Sequence, residues 1–291
     1  DLFVDWTDEG YDEVESVENG DLVNTYIFHQ DDDKYVLQFP RNDLRGFEVG
    51  MNLYEDLRNS NIPVPEVKSR EIEERNHAIM EYVPGNDLSD LENPDEELFY
   101  ESGEILAEIH NEYSFDNYGF MAPKEITTHR GTRSWDRFFE GYVNARLNDL
   151  EGDFIDENQR SEFDRILSKA PRKPENSLLH NDFSGRNIRV SSGVKAVIDF
   201  DSAIAGDPEF EFVVSRLAFE DDFDREKAAR FERGYRSKRE TPRDFDKLER
   251  VYEMAGFLDE AWCLKRLDEL GKEDNDREEI EKYISSAREL C

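Results

Sequence analysis

Two kinds of hydrophobic pattern divide this chain, and the division limits the folds that it can adopt. In the first part, β-branched and aromatic runs at residues 22–28 and 34–39 flank the turn-forming residues 31–33, which predicts an antiparallel hairpin. Beyond residue 84, apolar residues mostly recur at spacings of three and four, as in amphipathic helices. The pattern therefore predicts a small β-rich lobe followed by a larger helical lobe.

Turn and cap residues predict where the two lobes meet. A helix is predicted to begin after Asp43, a suitable N-cap, because the apolar residues that follow share one helical face. A short apolar strand at residues 78–83 then ends at Pro84. The sequence predicts an α+β fold with two lobes, an antiparallel-sheet lobe at residues 1–83 and a mostly helical lobe at residues 84–291.

The charge of the chain is strongly negative and evenly spread. There are 71 Asp and Glu residues against 37 Lys and Arg residues, for a formal net charge of −34. Such a charge repels nucleic acids and anionic membranes, so we expect neither as a partner. Because the acids form no long block, the composition favours a whole surface adapted to high salt, as in halophilic proteins, over a cation-binding tail.

Signals for export and for covalent or metal cross-links are missing from the sequence. No apolar stretch approaches the ~20 residues that a bilayer span requires. The N-terminal segment has no basic stretch followed by an apolar run. The cysteines, Cys263 and Cys291, form no paired motif for zinc or for a disulfide framework. We therefore expect a cytoplasmic protein.

Two acids and an amide follow one another on predicted loops beside short strands. The sequence HNDFSGRN contains Asp182 and Asn187, and Asp199 lies in a later IDF sequence. A predicted hairpin of strands at residues 188–190 and 194–200 brings Asn187 and Asp199 to the same end. Phosphoryl transfer from a nucleotide needs a carboxylate near the accepting hydroxyl and oxygen ligands for Mg²⁺. These three side chains supply that set.

The same motifs resemble those of the aminoglycoside phosphotransferase and choline kinase family. The family pattern HxDxxxxN…IDF…GDP is matched from His180 to Pro208. The resemblance covers nearly the whole chain, since residues 35–40 are similar to the family's third strand and residues 79–85 to its adenine-binding hinge. It implies a protein-kinase-like fold and kinase activity toward small hydroxyl compounds.

The resemblance also implies a role for each matching residue. Asp182 would orient or deprotonate the acceptor hydroxyl, and Asn187 and Asp199 would bind Mg²⁺. The implied supporting residues are His180 in the catalytic loop, Glu48 in the small-lobe helix and Asp207 in the large lobe. The implied nucleotide-binding residues are Gly20, Asn24, Val36, Gln38, Met80, Glu81, Val83 and Ile198, with Glu81 C=O and Val83 N–H facing the purine.

The sequence departs from the family pattern at two positions. Gln38 stands where the family has a Lys or Arg that contacts the phosphates and pairs with the helix glutamate. Lys34 lies roughly 13 Å away along the strand, so Arg41 folding back, or the metal ion alone, remains as a substitute. Glu211 stands where the family has an acid three residues after the GDP proline, and is a longer carboxylate than usual.

Other chemically suggestive residues have plain structural interpretations. Helical spacing places one histidine and several aromatic residues in the predicted core. The acidic pair at 259 and 260 is interpreted as solvated surface, with a pocket for a cationic substrate as the less favoured alternative. The residues concerned are His110, Trp135, Phe138 and Tyr142 for the core, and Asp259 and Glu260 for the surface.

The sequence thus predicts a kinase that transfers the γ-phosphate of ATP or GTP, with Mg²⁺, to a hydroxyl of a sugar, an aminocyclitol or an amino alcohol. Its partners would be the nucleotide and that small substrate. No Walker A, GxGxxG, HExxH or GxSxG motif is present, and the IDF segment lacks the glycine of protein kinases. The alternative is a nucleotide-binding pseudokinase with weak or no turnover, because of Gln38.

Overall fold

The computed structural model describes residues 6, 10–17, 23–41, 44–71, 76–271 and 277–291. Gly20, which the resemblance implies in nucleotide binding, and Asp43, the predicted N-cap, lie outside these residues. Within the described ranges, no helix is both long and apolar enough to cross a membrane.

The N-terminal part of the chain forms an antiparallel sheet. The predicted hairpin is confirmed, since its two strands pair from Val23 opposite Pro40 to Gln30 opposite Asp33. Asp31 in the connecting turn has a φ of 53°, a left-handed conformation that Asp tolerates. The strands are β1 (Glu13–Val17), β2 (Val23–Gln30), β3 (Asp33–Pro40), β4 (Val67–Glu71) and β5 (His77–Glu81), in the order β1-β2-β3-β5-β4.

The two faces of this sheet have different neighbours. Leu37 and Ile79, which are opposite each other on β3 and β5, pack with Phe28 in a small separate cluster. Ala78 and Met80 alternate with Ile79, point to the other face and belong to the main core. The face that carries Met80 is therefore the one turned toward the rest of the molecule.

The predicted small-lobe helix is present as α1 (Leu44–Leu57). Phe47, Met51 and Leu57 recur at helical spacing and are fully or almost fully buried in the main core. Ser60, just after the helix, accepts a hydrogen bond from Ile62 N–H at 3.1 Å and donates to Leu57 O at 2.7 Å. This turn leads the chain into β4.

The C-terminal part is mostly helical, as predicted. Helices α2 and α6 approach closely, because a Cβ at Gly103 would lie 2.1 Å from Phe231 O and one at Gly234 would lie 2.0 Å from Tyr100 O. The helices are α2 (Glu96–Glu112), α3 (Trp135–Leu150), α4 (Glu157–Leu167), α5 (Pro208–Asp222), α6 (Arg225–Lys238), α7 (Phe245–Glu269) and α8 (Arg277–Glu289).

Two small three-stranded sheets are present besides the large sheet. One has the order β10-β9-β6 and the other the order β7-β11-β8. Together with the large sheet and the helices they confirm the predicted α+β class. The strands are β6 (Asn86–Asp87), β7 (Gly119–Phe120), β8 (Ser177–Leu179), β9 (Ile188–Ser191), β10 (Gly193–Val197) and β11 (Ile204–Gly206).

Two predicted strands were too long. The strand predicted at residues 78–83 ends at Glu81, and the strand predicted at residues 194–200 ends at Val197. Asp199 has a φ of 67°, and a 3-10 turn follows at Phe200–Ser202. A left-handed residue cannot continue a strand, so the apolar residues around it indicated burial rather than extended structure.

Candidate active site

The loop at residues 180–187, here the catalytic loop, begins directly after β8 and is fixed by a buried histidine. His180 Nε2–H donates to Ile198 O at 2.8 Å, and its Nδ1 accepts from Asp182 N–H at 3.3 Å. Burial lowers the pKa of His180, so the neutral imidazole with the proton on Nε2 fits both contacts. The histidine therefore connects the catalytic loop to the residue that precedes Asp199.

A second buried group, Glu211 on α5, holds the loop from the other side. Its Oε2 accepts from the backbone N–H of His180 at 2.9 Å, and its Oε1 accepts from Asn181 N–H. His110 on α2 lies 2.8 Å from the same Oε2 through Nε2 and 2.8 Å from Tyr235 Oη through Nδ1. The catalytic loop is thus hydrogen-bonded to two helices.

Burial shifts the pKa values of this network in opposite directions. It lowers the pKa of His110 well below the ordinary value and raises that of Glu211. Three N–H groups point at the Glu211 carboxyl, and they favour the carboxylate against the effect of burial. Sequence reasoning missed both roles, since His110 was assigned to the core and Glu211 was treated as a minor departure.

The catalytic loop turns sharply at Asn181, where φ is 67°. The Asn181 side chain donates to Ser202 O at 3.2 Å and accepts from Tyr142 Oη at 3.4 Å. It therefore links the loop to the 3-10 turn after Asp199 and to helix α3. Tyr142 is 8% exposed, as expected for a core residue, yet its hydroxyl reaches this loop.

Asp182 and Asn187 contact each other at the two ends of the loop. Asn187 Nδ2 donates to Asp182 O at 2.8 Å and to Asp182 Oδ2 at 2.9 Å. The amide nitrogen is thereby used, which leaves Asn187 Oδ1 as the atom that could bind a cation. The sequence pattern placed these residues together correctly.

The carboxyl of Asp182 is exposed but lies among many protein atoms, as a group in an open cleft does. This desolvation raises its pKa, while Arg186 lowers it and Asp199 raises it further. Solvent on the open side opposes this shift. A higher pKa makes the carboxylate a better hydrogen-bond acceptor and proton acceptor.

Asp199 lies at the same end of the β9–β10 hairpin as Asn187, as predicted. Val197 is opposite Ile188, and Ile198 N–H donates to Asn187 O at 2.9 Å. Asp199 N–H donates to Tyr54 Oη at 2.7 Å, and the Asp199 side chain is exposed. The carboxylate of Asp199 and the amide oxygen of Asn187 are hard oxygen donors of the kind that Mg²⁺ prefers.

Helix α1 contacts the turn that contains Asp199. The Tyr54 ring packs edge-on against Phe200, with ring centroids 5.9 Å apart. A Cβ at Gly50 would lie 2.2 Å from Asp201 Oδ1, so only glycine permits the observed approach. The sequence placed Tyr54 on the apolar face of α1 but gave no sign of its hydrogen bond to the Asp199 backbone.

The predicted nucleotide-binding residues are only partly brought together. Val36, Gln38 and Met80 share the sheet face that is turned toward the rest of the molecule. Asn24 lies opposite Phe39 on the other face, where it accepts a hydrogen bond from Arg41 Nε at 2.8 Å. Gly20 lies outside the described residues.

At the end of β5, Glu81 can offer only its backbone groups to a nucleotide base. The Glu81 side chain points away, accepting from Glu66 N–H at 3.2 Å and lying 3.5 Å from Arg58. Val83 follows the end of β5, and its N–H donates no hydrogen bond to another described residue. Ile198, on the facing sheet, is half-buried.

Neither Lys34 nor Arg41, the cations considered from the sequence, takes the place of the missing strand base. Gln38 Nε2 donates weakly to Thr25 Oγ1 at 3.4 Å, and Glu48 has no hydrogen bond or ion pair with another described residue. Lys34 Nζ lies over the Tyr82 ring, 5.3 Å from its centroid. Arg41 bonds to Asn24 on the other face of the sheet.

Two acidic residues on helix α7 lie near Asp182. Asp259 forms an ion pair of 2.6 Å with Arg146, whose guanidinium stacks 3.6 Å from the centroid of Tyr142. Desolvation by the surrounding protein atoms raises the pKa of Glu260, although its side chain is exposed, and Asp259 and Asp182 raise it further. Glu260 is exposed, in line with its sequence-based interpretation as solvated surface, whereas Asp259 is half-buried and paired with Arg146; both carboxyls lie near enough to Asp182 to interact with it electrostatically.

Asp207 lies apart from these groups, at the start of α5. Its side chain caps the helix by accepting from Glu209 N–H at 3.1 Å and accepts a second bond from Tyr252 Oη at 2.5 Å. Tyr252 also accepts from Trp135 Nε1 at 3.0 Å. Burial raises the pKa of Asp207 to about 7.

Comparisons with known proteins show what the chain is similar to. A family model described as the phosphotransferase enzyme family, APH, matches residues 13–249. A comparison with the curated proteins found no match.

Among solved structures, a thermostable mutant of aminoglycoside phosphotransferase APH(4)-Ia in ternary complex with AMP-PNP and hygromycin B is 16% identical. The match covers 99% of this chain and 97% of that chain, with a TM-score of 0.74. ADP-bound APH(2'')-Ib is 19% identical over 99% and 95% of the two chains, with a TM-score of 0.64. A GDP and kanamycin complex of APH(2'')-IIIa is 14% identical over 99% and 96%, with a TM-score of 0.65. The predicted bilobal, protein-kinase-like fold is thereby confirmed.

Proposed function

Since the chain belongs to the phosphotransferase enzyme family, we propose that it transfers the γ-phosphoryl group of ATP or GTP to a hydroxyl of a sugar, an aminocyclitol or an amino alcohol. The family match confirms the resemblance inferred from the motifs and the prediction of a phosphotransferase with an alcohol group as acceptor. The observation that carries the proposal is the convergence of Asp182, Asn187 and Asp199 at one end of the β9–β10 hairpin.

In this proposal Asp182 is the catalytic carboxylate. It accepts the hydrogen bond of the acceptor hydroxyl and receives its proton as the oxygen attacks the γ-phosphorus. Asn187 Nδ2, 2.9 Å from Asp182 Oδ2, holds one carboxylate oxygen and so aims the other at the acceptor. His180 and Glu211 are positioning residues, because they accept hydrogen bonds from the backbone N–H groups of residues 180–182 and would not reach the substrate.

Asn187 Oδ1 and the Asp199 carboxylate would hold Mg²⁺. When bound, the ion neutralises charge on the donor phosphates. Both side chains fit this task, since the amide nitrogen is already bonded to Asp182 and the Asp199 carboxylate is exposed. Tyr54 and Gly50 on α1 hold the Asp199 turn in place through a hydrogen bond and a close contact.

The donor nucleotide would lie between the large sheet and the β9–β10 hairpin. The base would pack against Val36 and Met80 on one side and Ile198 on the other, with its edge at the backbone of Glu81 and Val83. The phosphates would then point toward Gln38 and the metal ligands.

The acceptor would enter from the side of α7 and α3. The Asp259 and Glu260 carboxylates there are close enough to Asp182 to interact with it, and they favour an acceptor that carries a protonated amine. Tyr142, stacked under Arg146, would supply an apolar wall for the acceptor ring or chain.

A second candidate is a nucleotide-binding protein without turnover. One observation favours it: position 38 carries an uncharged glutamine, and Glu48 has no hydrogen-bond or ion-pair partner among the described residues. Both candidates bind nucleotide. They differ in whether Asp182 assists phosphoryl transfer to an acceptor.

Nucleotide consumption separates the two candidates. We would assay the full chain with ATP and GTP, Mg²⁺ and hydroxyl compounds in matched pairs with and without an amine, in molar KCl to screen the net charge. Asp182→Asn removes the proton acceptor, and Asp268→Asn is a matched change on an exposed helix end.

The proposal predicts acceptor-dependent turnover that D182N lowers at least a hundredfold, on the order of the usual contribution of a general base. It also predicts that D268N keeps this turnover. Nucleotide binding without turnover for any acceptor would support the second candidate. Turnover that D182N leaves unchanged would contradict the proposed mechanism.

A further inference from the structure

Arg189 lies in the middle of β9 and binds the segment that follows β5. Its Nη1 donates to Asp87 Oδ1 at 2.6 Å, and its Nη2 donates to the carbonyl oxygens of Val83, at 3.3 Å, and Gly85. Gly85 has a φ of 128°, and a Cβ there would lie 2.1 Å from Val190 O, so this segment passes very close to β9. Three acceptors thus hold the guanidinium in one position.

Strand alternation places Arg189 on the face of β9 that does not enter the core. Ile188 and Val190 are buried at 0% and 1% exposure, so Arg189 between them points to the opposite face. Asn187 directly precedes β9, in the 3-10 turn at Gly185–Asn187. The short β9 strand therefore runs from the proposed metal ligand toward the proposed base-binding backbone, which Arg189 contacts.

The hydrogen-bonding groups of Val83 determine which base edge fits there. Its N–H donates to no described residue, whereas its C=O already accepts from Arg189. Adenine presents an amino donor beside a ring-nitrogen acceptor, so it needs one backbone acceptor and one backbone donor. Guanine presents a carbonyl acceptor beside two N–H donors. It therefore needs a second backbone acceptor besides Glu81 C=O, and Val83 C=O would be that acceptor.

A guanidinium carries five donors and no acceptor. A carbonyl oxygen can accept two hydrogen bonds, so guanine N–H groups that approach Val83 C=O would share this oxygen with Arg189 Nη2 and lie against the other guanidinium N–H groups. A donor left facing a donor loses its hydrogen bond with water and gains none in return. Adenine makes no such contact, because the groups that it needs are Glu81 C=O and Val83 N–H.

We propose that Arg189 makes the donor site select adenine over guanine, by occupying the Val83 carbonyl that guanine would use. Arg189 is in this sense a specificity-determining residue. The proposal rests on the proposed function, because it takes the segment at residues 81–83 as the base-binding edge. It decides between ATP and GTP, which the motifs alone leave open.

Calorimetric titration with non-hydrolysable ATP and GTP analogues, with Mg²⁺ and without acceptor, tests the proposal. The full-length wild type is compared with Arg189→Met, which removes the guanidinium and keeps an extended apolar side chain. Asp87→Asn is the matched control, because it removes the ion pair of Arg189 and leaves its two carbonyl contacts. Thermal unfolding verifies that each variant is folded.

We expect the wild type to bind the ATP analogue roughly tenfold or more tightly than the GTP analogue. R189M should reduce that ratio about tenfold, and D87N should keep it. Equal binding of the two analogues by the wild type overturns the proposal, and this result does not depend on whether R189M folds. The proposal is also overturned if R189M and the wild type have the same ratio of ATP-analogue to GTP-analogue affinity. Binding of neither analogue overturns the proposed donor site itself, and this inference with it.

Discussion

The Nε2 atom of His110 lies 2.8 Å from Oε2 of Glu211, and this contact connects helix α2 to the catalytic loop. The same oxygen accepts the backbone N–H of His180, and the other carboxylate oxygen accepts that of Asn181. The orientation of Asp182 therefore depends on a buried carboxylate that substrate never touches. Removing this carboxylate should affect the chemistry through the loop alone.

Glu211→Gln should lower both stability and kcat. The amide turns one acceptor into a donor, so a donor from the loop or from His110 loses its partner, at about 1–3 kcal/mol of unfolding free energy. Denaturant unfolding measures this loss, and steady-state assays should show a lower kcat with an unchanged nucleotide Kd. Glu209→Gln is the control, since it weakens the nearby ion pair of 2.6 Å with Arg236 and leaves the loop contacts intact. Equal kcat in both variants would contradict the positioning role.

Gly50→Ala should damage the active site more than Gly141→Ala, although both lie in helices. The Cβ at Gly50 would lie 2.2 Å from Asp201 Oδ1, so the turn that carries Asp199 must move. A Cβ at Gly141 meets nothing within 4 Å, and alanine there should stabilise helix α3 by up to about 1 kcal/mol. We expect reduced Mg²⁺-dependent activity for G50A and unchanged activity for G141A. The idea fails if G50A retains wild-type activity at saturating Mg²⁺.

The pKa of Asp207 should give the protein a pH-dependent loss of stability. Burial raises this pKa to about 7, so the folded state disfavours the charged form. The unfolding free energy should fall as pH rises from the ordinary Asp pKa, near ~4, to about 7. At ~1.4 kcal/mol per pKa unit the full effect is on the order of 4 kcal/mol.

Asp207→Asn cannot titrate and serves as the comparison for this effect. The stability of D207N relative to wild type should rise with pH across that interval, as measured by denaturant unfolding at each pH. Parallel pH profiles of the two proteins would mean that the Asp207 carboxyl ionises normally.

Gln38→Lys should strengthen nucleotide binding. The new ammonium would lie on the sheet face that carries Val36 and Met80, within reach of the proposed phosphate position and of Glu48, which has no described partner. We expect a lower nucleotide KM, with Gln38→Met as an uncharged control of similar length. A KM that Q38K leaves at the Q38M value would place the phosphates elsewhere.

The sequence predicted local structure best where pairing and chemistry lie close together in the chain. The β2–β3 hairpin and the meeting of Asn187 with Asp199 followed from alternation and loop length. The strand ending at Val197 was predicted too long, because no local signal marks the left-handed Asp199 among apolar neighbours. Asn24 was assigned to the nucleotide, although its position opposite Phe39 puts it on the other face.

The contacts that hold the site were beyond the sequence because they join distant segments. Three such contacts join residues whose spacing in the sequence follows neither a helical nor a strand period. They are the contacts of Tyr54 with Asp199, of His110 with Glu211 and of Arg189 with Val83. A buried histidine on an apolar helical face is ordinarily a core residue, and only the position of α5 beside α2 reveals its partner. Side-chain contacts of this kind depend on tertiary packing, which a pattern of spacings does not specify.

The central claim is that Asn187 and Asp199 bind one divalent ion beside the Asp182 carboxylate. A crystal of the full chain grown with Mn²⁺ and a non-hydrolysable ATP analogue measures this directly, through the anomalous signal of the metal. The account predicts a peak within about 2.5 Å of both Asn187 Oδ1 and an Asp199 carboxylate oxygen, in contact with the phosphates. A bound nucleotide whose metal lies away from these two residues would contradict it.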